Sequence, residues 1–433
     1  MMSTKKPSKI SQVEILLTPV TLLKQFFSLS SKIADNSMLT ICKQILIIFI
    51  MFYVSICAII DAKLIHPKSS SSILKNMDRA SIVFNMILCI VIILNTRKTR
   101  YDYVQRIKDF DSAIEIYFQN GLDKQIQHCQ SITNNELRLY LLHFLLSVFY
   151  LSVKVGFGWY SEDVIHYRVA ILLGVILRSI VVFDFIAVLN MVFARFKLVN
   201  HVVQQLIQHK RVKSTNKNIV ISMSLLAENK SRSLNNVCKS ADLKRIKDTL
   251  TILRLTHESL TMICRDLSEV YGVFHALAIL TSLIEEVNQA FSVFIVGLDA
   301  EKLSEFDFNY GLVKAAMFMM IIGITHFYFV VFYCSAVEDE SFFTRMLIQD
   351  LFLETGYRRE ISENLRLFAL QLRQTEVKFS AAGIFELNWK LMSLIVGEIS
   401  SYLIFFIQSS GFTFESDDHS ADSLHSLYSC AVN

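Results

Sequence analysis

Seven long apolar runs dominate this chain and limit what it can become. They lie at about residues 41–60, 80–95, 137–157, 168–194, 271–298, 311–337 and 391–408. An apolar run of roughly 18 residues or more is long enough to cross a bilayer as a helix. Inside lipid every backbone amide and carbonyl must find its partner within the protein, so such runs form helices. The second run is the shortest and needs a turn from the Ser-rich stretch ahead of it to span. The predicted fold class is therefore an all-α membrane protein with seven transmembrane helices. Composition agrees: 53% of the residues are hydrophobic and 19% charged, against about 25% charged in soluble domains.

The distribution of Lys and Arg sets the orientation, because basic loops stay in the cytosol. The N-terminus and the second, fourth and sixth loops, with Lys43 and Arg138 at adjoining helix ends, hold 34 of the 43 basic residues. The opposite side has five: Lys63, Lys68, Lys75, Arg79 and Lys302. The tail after Gln408 carries Glu415, Asp417, Asp418 and Asp422 and no basic residue. This predicts a cytosolic N-terminus and an extracellular C-terminus, with the first loop, four basic residues on the outer side, as the dissenting piece.

The chain then divides into a cytosolic N-terminus (1–40), the first six spans with their loops (41–337), a cytosolic segment (338–390), the seventh helix (391–409) and an extracellular acidic tail (410–433). The long fourth loop, residues 195–269, shows helical spacing of apolar positions at both ends. Its middle is polar and reads as mobile. Helices that outrun the bilayer there would form a bundle able to pack against neighbouring subunits.

Eight scattered cysteines form no short-spaced pair, and no zinc, haem or redox motif emerges from them. No metal site and no cofactor is expected. The first apolar run begins behind Lys5, Lys6, Lys9, Lys24 and Lys32 and reads as an uncleaved targeting helix. The sole N-x-S/T sequon, Asn229-Lys230-Ser231, falls on the cytosolic side and is expected to stay unglycosylated. Basic blocks in a chain this apolar exclude a nucleic-acid binder.

Polar residues inside spans are costly, and they mark internal ion pairs or ligand pockets. Lys154 on the third span, Arg178 on the fourth, and Glu285, Glu286, Asn288 and Gln289 on the fifth lie toward the outer half; Asp184 and His326 lie nearer the middle. Two readings stand. Arg178 pairs with Glu285 or Glu286 to hold helices together, or these groups line a polar ligand pocket. Tyr150 and Trp159, at the outer end of the third span, belong to the interfacial aromatic belt or stack on a ligand.

On the last run, residues four apart share a face. Gln408, Ile404 and Ser401 or Ser400 form one stripe of amide, aliphatic and hydroxyl groups. Such a stripe suits a narrow gate, in which an aliphatic ring dewets the pore; from spacing alone a boundary amide above a packing residue is the better reading. Tyr402 points off the stripe and reads as packing between helices. Gly383 reads as a bend. All three prolines, Pro7, Pro19 and Pro67, lie outside the spans, which argues against the Pro-broken helices of transporters.

The most specific signal is at the end of the chain. Phe379, Ala381, Gly383 and Phe385, then Tyr402, five apolar residues from Leu403 to Ile407, and Gln408 resemble the C-terminal signature of insect gustatory receptors. Ile384 stands for a Phe, Ser401 for the usual Thr, and Ser409 for the usual final Phe. The resemblance implies a ligand-gated, non-selective cation channel opened by small-molecule tastants and passing monovalent and divalent cations. It implies four subunits, a homotetramer or a heteromer with related receptors, whose last helices line a central pore at Ser401, Ile404 and Gln408. It also implies a shared cytosolic anchor domain and a pocket in each subunit. Tyr150, Lys154, Arg178, Glu285, Asn288 and His326 are the pocket candidates. The location implied is the plasma membrane, embedded in lipid, of a sensory dendrite.

With only Trp159 and Trp389 available as flat platforms, a bitter-type plant compound is favoured over a sugar. A sugar- or fructose-type receptor is one alternative, and a metabotropic seven-helix receptor is another. The second has the opposite orientation, and no Asp-Arg-Tyr-like triplet follows the third span. An enzyme is not expected, since no nucleophile elbow, metal pair or phosphate loop occurs.

Overall fold

The computed structural model describes residues 72–95, 165–224, 232–299, 306–353 and 359–409, with isolated positions between 48 and 142. The elements are α1 (Ser72–Asn95), α2 (Ile165–Ser224), α3 (Arg232–Asp299), α4 (Phe306–Leu353), α5 (Arg359–Gln374), β1 (Ser380–Ala381), β2 (Phe385–Glu386) and α6 (Trp389–Ser409). The apolar runs at 41–60 and 137–157 lie, apart from single positions, outside the described residues, as do Tyr150, Lys154 and Trp159.

Helix formation overruns the apolar runs in both directions. α1 reaches back to Ser72, which supplies the turn the second run lacked. At about 1.5 Å per residue, α2 (60 residues), α3 (68) and α4 (48) are each far longer than the roughly 30 Å bilayer core. Stretches of these three helices, Gly174–Gln208, Lys244–Phe291 and Met320–Leu353, are long and apolar enough to cross a membrane. In the polar middle of the fourth loop, helix runs on to Ser224 and resumes at Arg232. Once a helix is nucleated, each added residue contributes a hydrogen bond, so extension costs less than a new start.

α2 is the central helix, packed against α1, α3 and α4. Its side chains from Leu177 to Leu189 are all buried, including Phe183, Phe185 and Ile186. Below them Phe196, Val199 and Val203 continue the core toward α3 and α4, where His257, fully buried, stands edge-on to Phe196 and Phe368. α5 is short and amphipathic: Ile361, Leu365, Phe368 and Leu372 recur at helical spacing and are all buried. That stripe seats it on α3 and α4.

Among the described residues a small hairpin interrupts an otherwise helical architecture. β1 and β2 pair antiparallel, with Ala381 opposite Phe385. The turn between them has positive φ at Ala382 (53°) and Gly383 (73°), the sign pattern of a type I′ turn. The bend expected at Gly383 has its physical reason there. The hairpin lies against α3 at Gly272, where a Cβ would come 2.8 Å from the Ala382 amide and 3.1 Å from the Ser380 carbonyl. The Ser380 amide also donates to Ser268 Oγ at 2.9 Å. α6 then starts cleanly, since Asn388 Oδ1 accepts from the Lys390 and Leu391 amides (3.1 and 3.3 Å) as an N-cap.

Candidate ligand cavity and last helix

Four helices surround a polar cavity inside the apolar layer. Ser81 from α1, Arg178 from α2, Glu285, Glu286 and Asn288 from α3, and His326 from α4 line it. Its volume, counted as room for the centres of water molecules, is about 30 Å³, enough for one or two waters.

One ion pair organises the wall. Arg178 donates from Nη2 to Glu285 Oε2 at 2.8 Å and from Nη1 to Ser282 Oγ at 2.6 Å. The other oxygen of Glu285 accepts from Asn85 Nδ2 at 2.6 Å and from Ser81 Oγ at 3.4 Å. The Arg178 side chain is 6% exposed and that of Glu285 21%. A buried pair holds where hydrogen bonds satisfy its remaining atoms; Ser81 and Asn85 do this for Glu285 and Ser282 for one guanidinium nitrogen, while Arg178 Nε has no partner among the described residues. Of the two partners open to Arg178, the structure takes Glu285, and in doing so clamps α1, α2 and α3 together.

Glu286, the next residue, is differently placed. It is buried, and its Oε2 meets no hydrogen-bond donor among the described residues. Gly323 on α4 faces it so closely that a Cβ there would fall 1.8 Å from Glu286 Oε1. His326 is buried beside the cavity and shares a 3.2 Å hydrogen bond with Ser179 Oγ. Deeper in the bundle, Tyr271 donates to Asp184 Oδ2 at 2.8 Å, partnering one oxygen of another buried carboxylate.

Arg178, Glu285, Asn288 and His326 thus come together, whereas Tyr150 and Lys154 fall outside the described residues. Asn85 and Ser81 were missed by the sequence reading, although an amide inside an apolar run is the same kind of signal that singled out Asn288. Gly323 carried no signal at all, since only its spatial neighbour makes it special.

α6 packs on α3 and α4 by one narrow stripe. Leu391 and Ile395 are buried, and Ile399 and Leu403, each four residues further, are half-buried. Ser401, Ile404 and Gln408 are exposed on this single chain, as is Tyr402. Ser401 Oγ donates to the Gly397 carbonyl at 2.9 Å, as hydroxyls in apolar helices do. Glu398 is exposed three positions before Ser401 and borders the same face; the sequence reading passed over this charge within the last span.

Comparison with known proteins agrees with this architecture. The profile of the family described as 7tm chemosensory receptor matches residues 37–410. Gustatory receptor 28a of Drosophila melanogaster is 25% identical over 268 residues, covering 58% of this chain and 57% of that protein. The chain thus spans little more than half the length of that relative. Among solved structures, the olfactory receptor OR5 of the insect Machilis hrabei in complex with eugenol superposes with a TM-score of 0.59 at 10% identity. That match covers 92% of this chain and all of the other. A second structure of the same receptor gives 0.57 at 12% identity with the same coverage. A match over most of its length places the chain in a family of membrane-embedded receptors and not of enzymes: it belongs to the 7tm chemosensory receptors.

Proposed function

We propose that this receptor is a gustatory, ligand-gated, non-selective cation channel, with a bitter-type plant compound favoured over a sugar as its tastant. The observation that carries the reading is the charged cavity enclosed by α1 to α4. Ionisable groups inside spans persist where they face a bundle interior or an aqueous cavity, and there they mark function. At about 30 Å³ the cavity holds water and not a tastant. A ligand must therefore widen it, and binding energy spent on widening shifts the population toward a second arrangement of the four helices.

The orientation is N-terminus in the cytosol and C-terminus outside, in the plasma membrane of a sensory dendrite. Four copies, identical or drawn from related receptors, assemble with α6 around the pore. The exposed face with Ser401, Ile404 and Gln408 lines it. Ile404 forms the dewetting ring, and Gln408 offers a neutral dipole to a passing cation. The extensions of α2, α3 and α4, with α5 and the hairpin, form the cytosolic anchor.

The test is whole-cell current from cells expressing this chain, challenged with bitter compounds and sugars while G-protein signalling is blocked. A ligand-evoked cation current that survives the block supports a channel. A response abolished by the block favours metabotropic signalling instead.

A further inference from the structure

Charge in the cavity wall is out of balance. Arg178 spends its two terminal nitrogens on Glu285 and Ser282, and Glu285 is in turn satisfied by Asn85 and Ser81. Of that pair only the Arg178 Nε–H is left without an acceptor among the described residues. Glu286 remains: it is 4% exposed, its Oε2 is buried, and no donor reaches that oxygen among the described residues. An unpaired buried carboxylate is among the costliest groups a protein can hold, and it is relieved either by taking up a proton or by pairing with a cation that carries N–H donors.

From this the geometry points to a ligand class: the cavity takes the protonated amine of an organic cation, with Glu286 as its counter-ion. The inference rests on the ligand-gated reading above and adds the chemistry of the ligand. Size agrees with charge. An ammonium head is about as large as a water molecule, and the cavity has room for one or two waters. The head group fits the cavity as it stands, while the rest of the ligand supplies the widening. Asn288, on the turn after Glu286, is also in the wall and brings an amide carbonyl that can accept a second N–H. Gly323 leaves the space in which the Glu286 carboxylate sits; a Cβ there would displace it.

The experiment uses the full-length receptor in lipid nanodiscs, with binding read as a saturable rise in unfolding midpoint. The probes are methylammonium, phenethylammonium and quinuclidinium, set against neutral 2-phenylethanol and anionic phenylacetate. Phenethylammonium is expected to bind at least tenfold more tightly than 2-phenylethanol. Glu286→Gln should erase that preference, Glu286→Asp should restore part of it, and Gly323→Ala should weaken ammonium binding. Equal affinity for the ammonium and the alcohol overturns the inference. So does ammonium binding unchanged in Glu286→Gln, or failure of all three ammonium ions to bind. The current assay judges the channel reading separately: tastant-evoked current without ammonium preference sinks only the ligand class, and ammonium binding without current sinks only the channel.

Discussion

The Phe379 amide donates to the Glu338 carboxylate at 2.9 Å, tying the residue before β1 to the C-terminal third of α4. Phe379 is itself fully buried and stands edge-on to Phe185 on the central helix, with 6.3 Å between ring centroids. Phe379 thus bridges α4 and α2 ten residues ahead of α6. Removing the acceptor tests this link. Glu338→Ala leaves a buried amide unpaired, a loss of about 1.5–3 kcal/mol for a hydrogen bond to a charged group. The expected result is a lower unfolding midpoint and a shifted agonist dose–response, with ion selectivity unchanged. A wild-type dose–response would remove this contact from the gating path.

Two glycines near the hairpin should behave differently. Gly272→Ala drives a methyl into backbone atoms of Ser380 and Ala382, neither of which has a flexible end that can yield. Overpacking of this kind costs about 1–3 kcal/mol or more, and surface expression should fall. Gly383→Ala meets open space and strains only its φ of 73°, a cost of about 1–2 kcal/mol. Comparing the unfolding midpoints of the two variants checks the order; the reverse order would mean that the hairpin does not lie against α3.

The Arg178–Glu285 pair is expected to be strongly coupled. Arg178→Met alone leaves a buried carboxylate, and Glu285→Gln alone leaves a buried guanidinium. Either should cost about 3–5 kcal/mol. The double variant should recover most of the loss, because neither charge is then stranded. A double-mutant cycle on unfolding midpoints measures this, and simple additivity would refute a direct pair.

On the last helix, Gln408→Ala should change conductance or gating without reducing surface expression. Glu398→Gln should lower the permeability of divalent relative to monovalent cations, since a carboxylate facing a pore concentrates divalent charge. Bi-ionic reversal potentials read the second effect. Currents unchanged in Gln408→Ala would take that residue out of the pore, and an unmoved reversal potential would do the same for Glu398.

Much of this architecture is legible in the chain alone, for a physical reason. Apolar runs longer than a bilayer is thick have one low-energy solution in lipid, so five of the seven runs coincide with described helices without any long-range information. The amphipathic stripe of α5 is of the same kind, since 3.6-residue periodicity is local. The terminal signature is equally local, and it pointed to the family that the match over residues 37–410 then established.

The tertiary structure decided what depends on neighbours distant in sequence. Glu285 and Glu286 are adjacent and chemically identical, and nothing in their local sequence says which would pair with Arg178. Helix rotation places one against Asn85, 200 positions away, and turns the other toward Gly323 with an oxygen unmet. The 100° between successive residues on a helix thus separates a structural carboxylate from a free one. Side-chain chemistry could nominate both residues; only the packing of α1, α2 and α4 around α3 could give them different roles.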